Sequence, residues 1–385
     1  MNTKALLPLL LAVLACATAA AKGTFRPGQL WPDNRGKHIN AHGGGIVYHR
    51  GTYYWFGEHK SDSTSSALVG VTCYSSSNLT DWRYRGVALK VSDSPGHDIE
   101  RGCILERPKV VYCRRTRKFV MWFHLELKGR GYNEARYGVA TADRPEGPYT
   151  YVRSGRVCPG KWPMEFGTGQ LAVLDTLDAA RYPKWWTPEW YDGVAKGMMT
   201  KRDRMPHTAG GHTMQGGQMA RDQTIFVDDD GKAYHIYSSE DNLTLQIAEL
   251  TDDYTAHTGR YTRVAPGDMN EAPAIFRHGG YYWMITSGCT GWAPNAARLF
   301  RAPSIWGPWA KLPNPCKGPY ADTTFGSQGT YILRVEGKKD LFVFMADQWR
   351  PDHPSDARYV WLPIAFDKEG RPELSWRDEW SLADF

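Results

Sequence analysis

Gly45-Ile-Val-Tyr-His-Arg-Gly-Thr-Tyr-Tyr-Trp-Phe56 holds two runs of β-branched and aromatic residues on either side of an Arg-Gly step. Such residues suit a pleated sheet, and a glycine between the runs supplies the positive φ of a tight hairpin turn. The pattern returns in Lys109-Val-Val-Tyr-Cys-Arg-Arg-Thr-Arg-Lys-Phe-Val-Met-Trp-Phe123 and Thr224-Ile-Phe-Val-Asp-Asp-Asp-Gly-Lys-Ala-Tyr-His-Ile-Tyr237. It returns again in Ala274-Ile-Phe-Arg-His-Gly-Gly-Tyr-Tyr-Trp-Met-Ile-Thr286 and Thr330-Tyr-Ile-Leu-Arg-Val-Glu-Gly-Lys-Lys-Asp-Leu-Phe-Val-Phe344. These hairpins stand much further apart than the strands of a β-sandwich, so they predict a radial repeat. Leu79-Thr-Asp-Trp-Arg, Arg144-Pro-Glu-Gly-Pro-Tyr and Ile305-Trp-Gly-Pro-Trp follow three of them and read as outer-strand turns. The expectation is an all-β chain, a five-bladed β-propeller. Arg358-Tyr-Val-Trp-Leu-Pro-Ile364 is the strand expected to close the ring against the N-terminal segment.

Residues 154–217 break the rhythm. They carry Trp162, Trp185, Trp186 and Trp190 and end in Gly210-Gly-His-Thr-Met-Gln-Gly-Gly217. A segment this poor in strands cannot bury a core of its own. It is expected to be a long, partly helical insertion between the second and third blades, packed on the propeller and walling its pocket.

The N-terminus places Lys4 before an apolar run from Ala5 to Cys16 and then Ala-Thr-Ala-Ala-Ala21. A charge, a short apolar core and small residues make a secretory signal over residues 1–21, leaving 22–385 as one catalytic domain. The protein is then secreted or periplasmic, with a lipoprotein anchored through Cys16 as the alternative. No later run approaches the roughly 18 apolar residues of a membrane span. The net charge of +6 is spread without Lys/Arg runs, which argues against nucleic acid as a partner. Cys73, Cys103, Cys113, Cys158, Cys289 and Cys316 permit disulfides in an exported chain, without fixing their connectivity. No Cys or His spacing suggests zinc. Aromatic residues make up 13% of the chain, more than a core requires, and the surplus suits stacking on sugar faces.

In a propeller, the residues before each innermost strand line one mouth of the central channel. Here they are polar in every unit: Asn40-Ala-His42, Glu106-Arg-Pro, Arg221-Asp222, Asn270-Glu271-Ala-Pro and Ser327-Gln328. Two glutamates from different blades at one mouth is the arrangement glycosidic cleavage uses, one as acid and the other supporting a cationic sugar. Candidate substrate contacts are His42, Arg221, Asp222, Trp292, Asn295 and, as a reserve carboxylate, Glu240. A tight packed loop is an equally good reading of Gly288-Cys-Thr-Gly-Trp-Ala-Pro-Asn295, and a structural histidine of His42.

The series Asn40-Ala-His-Gly-Gly-Gly45, Glu106-Arg-Pro-Lys-Val110, Arg221-Asp222, Phe226-Val-Asp-Asp-Asp-Gly231, Glu271-Ala-Pro273 and Thr324-Phe-Gly-Ser-Gln328 resembles glycoside hydrolase family 43. Within that family it is most similar to the exo-β-1,3-galactanases and related arabinogalactan-acting enzymes. The resemblance implies hydrolysis with inversion, Glu271 as general acid and Glu106 as the carboxylate that orients it. The family usually carries an Asp base in the first blade, where this chain has Asn40-Ala41-His42. The galactanase branch lacks that Asp too, and Gln328 matches the glutamine proposed there as base through its imidic tautomer. No cofactor is implied, a structural calcium ion in the central channel being the one addition considered. The expected activity is exo-acting release of galactose from β-1,3-galactan or arabinogalactan by a monomer acting on poly- or oligosaccharide. The alternatives are an α-L-arabinofuranosidase and a carbohydrate-binding propeller without turnover.

Overall fold

A computed structural model describes residues 23–167, 207–209, 212–214 and 217–385. All five hairpins are present. Sheet I comprises His42–His49, Thr52–Glu58, Gly70–Ser76 and Arg83–Lys90, and sheet II comprises Ile104–Cys113, Lys118–Glu126, Arg136–Ala142 and Thr150–Gly155. Sheet III comprises Gln223–Val227, Ala233–Ser239, Thr244–Leu250 and His257–Val264. Sheet IV comprises Asn270–His278, Tyr281–Gly288, Arg298–Ala302 and Ala310–Leu312, and sheet V comprises Gln328–Arg334, Phe342–Gln348 and Arg358–Pro363. Within each of these sheets, neighbouring strands run antiparallel in chain order. The hairpin turns use the expected chemistry, with positive φ at Arg50 and Gly51 (48° and 84°) and at Gly279 and Gly280 (59° and 81°).

The molecule is an all-β propeller, but the expected count of five blades is corrected to six. Sheet VI joins Cys316–Lys317, Pro372–Ser375 and Ala365–Phe366, with the first pair parallel. Its strands are two to four residues long, too short to show a period-2 pattern in the sequence. Arg358–Pro363 is the third strand of sheet V and lies against the N-terminal segment, where Tyr359 O accepts the Gly28 N–H at 2.8 Å, while Thr24–Phe25 pairs with Trp380–Ser381.

The core is divided among the faces between neighbouring sheets. Trp55 and Tyr74 of sheet I, with Trp82 just before its last strand, interlock with Tyr359 and Trp361 of sheet V. Trp55 and Trp361 have ring centroids 4.8 Å apart. Each such aromatic pair adds about 0.5–1.5 kcal/mol beyond its buried area. Phe56, Leu105 and Phe123 fill the I/II face, while Trp122, Tyr237 and Tyr261 fill II/III. Cys316, Phe366 and Leu374 of the small sheet join the core between IV and V.

Most of the expected insertion, residues 168–206, lies outside the described residues, and with it the expected helical character and the role as a pocket wall. Its described start packs outward: Met164 N–H donates to Tyr261 O at 2.9 Å, and Glu165 accepts from Thr262 and from the Arg263 N–H, on the outermost strand of sheet III. Val157 bridges Gln218, bringing the two ends of the segment together. Helix among the described residues is limited to three 3-10 turns, Ala321–Gly326, Pro354–Asp356 and Leu382–Asp384. The described cysteines are all unpaired, so the permitted disulfides are absent among them. No described helix is long and apolar enough to cross a membrane.

Candidate active site

The site is built from bulges. In the inner strands of sheets I, II, IV and V the ladder slips just after the first residues, between His42 and Gly45, Glu106 and Lys109, Glu271 and Ala274, and Gly329 and Tyr331. Pro108 and Pro273 explain two of the slips, since proline has no N–H to give to a ladder. The residue before each proline is in the left-handed region, Arg107 at φ 53° and Ala272 at φ 51°, and Gly43 occupies the like place in sheet I at 61°. A bulge bends its strand and re-aims the side chains beside it. The Glu-x-Pro motif is thus a device for turning a carboxylate into the channel mouth. At Gly44 the chains approach so closely that a Cβ would lie 1.7 Å from Phe56 O, which only glycine tolerates.

Glu271 accepts the Asn242 side-chain N–H at 2.7 Å on Oε1. Burial and the negative charge of Asp222 raise its pKa to about 7, against the pull of Arg107 and Arg221. Asp222 is held by the Ala272 N–H at 3.1 Å and by Arg107 Nη2 at 2.8 Å. Glu106 is the opposite case. Burial opposes its ionisation, but His124, Lys60 and Tyr132 outweigh it and hold the pKa down to about 2. Tyr132 O–H donates to Oε1 at 2.8 Å, and His124 Nδ1 lies 3.2 Å from Oε2. Two carboxyl groups with pKa values pushed far apart are what acid catalysis beside a standing negative charge requires.

Arg107 joins the two sides. Its Nη2 lies 2.6 Å from Gln328 Oε1, its Nη1 donates to Gly329 O at 3.1 Å, and its backbone N–H donates to Glu58 at 3.0 Å. Gln328 also accepts the Trp349 indole N–H at 2.9 Å and donates to Ser287 Oγ at 2.9 Å. Ser287, Trp292, Gln328 and Trp349 line one cleft, in which Trp292 is 47% exposed and stands edge-on to Trp349.

A sequence model of the glycosyl hydrolases family 43 matches residues 200–372. The chain is also 56% identical to a solved β-1,3-galactosidase of that family with galactodeoxynojirimycin (TM-score 0.88), covering 93% of this chain and all of the other. The chain belongs to glycosyl hydrolase family 43. It is 33% identical to an exo-β-1,3-galactanase from Clostridium thermocellum, with 93% of this chain and 66% of that one covered and a TM-score of 0.73. An exo-β-1,3-galactanase from Phanerochaete chrysosporium, with β-1,3-galactotriose, is 30% identical over 94% of this chain and 68% of its own (TM-score 0.72). No curated protein sequence matched.

Within this family 43 site, His42 and Glu240, singled out from the sequence, are buried away from the cleft, while Asn295 lies on its wall. His42 is fully buried, stacked 5.3 Å from Tyr359, and burial drives its pKa well below the usual range. Glu240 is fully buried in a two-point ion pair with Arg263, both contacts at 2.7 Å. Asn295 spends its side chain pinning the Gly288–Asn295 loop through Gly288 N, Gly288 O and Thr290. Arg221 bonds Tyr132 O and Asp241 and acts on Glu271 through its charge.

Lys60, His124, Tyr132, Ser287, Asp347 and Trp349 went unrecognised in the sequence. Four site residues face a polar partner directly across an inner hairpin: His42 opposite Glu58, Glu106 opposite His124, Glu271 opposite Ser287, and Gln328 opposite Asp347. The signal was available as the polar residues ending the second strand of each of these hairpins. Deeper in the channel, Lys109 Nζ donates to Gly43 O at 2.8 Å, and Asp347 accepts the Gly43 N–H at 2.6 Å. Burial shifts these two groups in opposite directions, each to about 7. No group of three or more His, Cys, Asp or Glu suited to a metal occurs among the described residues, and the Lys109 ammonium takes the axial carbonyl of Gly43. The residues present do not fit the calcium ion considered from the sequence.

Proposed function

We propose that this glycoside hydrolase removes terminal galactose from β-1,3-linked galactan or arabinogalactan side chains, acting from chain ends outside the cell. The observation that carries this reading is the full-length likeness to a β-1,3-galactosidase at 56% identity. The site supplies compatible chemistry. Glu271, with a pKa of about 7, holds a proton at neutral pH for the departing glycosidic oxygen. Asp222 keeps that proton in place by its charge. Glu106 remains ionised and favours the positive charge that develops on the sugar ring. Trp292 offers an apolar face at the cleft mouth, and Gln328 stands with the attacking water.

The test is to follow hydrolysis of β-1,3-galactobiose by proton NMR. Galactose appearing first as the α anomer is expected for inversion. Release of arabinose alone from arabinogalactan, with galactobiose untouched, would overturn the assignment.

A further inference from the structure

An amide that takes a proton on nitrogen does so from its imidic tautomer, in which the oxygen carries the hydrogen and donates it. The surroundings of Gln328 oppose that form. Its oxygen faces Arg107 Nη2 at 2.6 Å and Trp349 Nε1 at 2.9 Å. Guanidinium and indole N–H groups are donors only. An O–H between them would have no acceptor and would meet two hydrogens head on. The same pair fixes which way the amide points, because the flipped amide would set its NH2 against both donors. The nitrogen is therefore turned toward Ser287 Oγ, 2.9 Å away, on the wall of the cleft. One of its two hydrogens serves Ser287.

We propose that Arg107 and Trp349 lock Gln328 as an amide whose second N–H donates into the cleft. Gln328 then orients the attacking water or a sugar hydroxyl and accepts no proton. This deepens the galactosidase reading and rests on it for the identity of the reacting molecule. The water attacks as H2O, and its extra proton leaves to solvent once the C–O bond has formed. A solvent proton restores Glu271, so the protons balance. Arg107 is a positioning residue at both ends, because its Nη2 also holds Asp222 at 2.8 Å.

The experiment reads the amide directly. In protein labelled with nitrogen-15 in glutamine side chains, Gln328 is assigned by the loss of its signal in Gln328→Glu. Two protons on the Gln328 nitrogen are expected, and a single proton would overturn the proposal. This needs no turnover, so it remains readable if the galactosidase reading fails. Trp349→Phe keeps a ring and removes only the indole N–H. It is expected to lower kcat about ten-fold while the alkaline limb of the pH profile, set by Glu271, stays in place. An unchanged kcat would remove Trp349 from the lock.

Discussion

Asn242 donates its side-chain N–H to Oε1 of Glu271 at 2.7 Å and so fixes the carboxyl group that carries the acid proton. Replacing Glu271 with Gln keeps the size and removes that proton. Turnover of a disaccharide with a poor leaving group should fall by about two to four powers of ten. Aryl galactosides with acidic leaving groups should lose much less. Measuring kcat on both substrates checks the role, and equal losses would count against it.

The pH dependence follows from the same carboxyl. Because Glu271 must be protonated and its pKa lies near 7, kcat/KM should fall as pH rises through that value. Asp222 raises the pKa by its charge, so Asp222→Asn should move the alkaline limb to lower pH. Stability has the matching sign. A carboxyl whose pKa is raised on folding costs stability as pH climbs from its unfolded value toward the folded one. Glu271→Gln should therefore melt higher than wild type above pH 7 and equal it near pH 4.

His124 titrates the other way. Burial resists its charge, but Glu106 and Glu126 on either side raise its pKa to about 9. Its contribution to stability is complete below the ordinary histidine value and disappears as pH rises through 9. A His124→Gln variant should lack that loss of melting temperature between the ordinary histidine value of about 6.5 and the folded value of about 9. Parallel melting curves for the two proteins would refute the assignment.

Glu240 and Arg263 form a buried pair, so removing one partner strands the other. Arg263→Met should cost about 3–5 kcal/mol in denaturant unfolding, while kcat at a permissive temperature stays near wild type. A large loss of substrate affinity without loss of stability would return Glu240 to the substrate.

The hairpins, the all-β class and the two Glu-x-Pro motifs were legible because their signals are local. Alternation, turn glycines and proline placement act within a dozen residues. Part of the register was legible as well, since the turn sets which residues stand opposite near it, but the bulge between Glu106 and Lys109 shifts the ladder and sets Glu106 opposite His124.

What the sequence by itself determined was therefore the set of inner hairpins and the residues at their entrances. Only the tertiary structure decided which of these act together. Asp222, from sheet III, is the carboxylate that perturbs Glu271 of sheet IV, while Glu106 of sheet II turns to His124, Tyr132 and Lys60. Arg107 reaches from sheet II to Gln328 of sheet V, 221 residues along the chain. His42 and Glu240 look the same in sequence as residues that face the cleft, and burial alone removes them from it. Electrostatic coupling depends on separation and on exclusion of water, and both arise only when the sheets close around the axis.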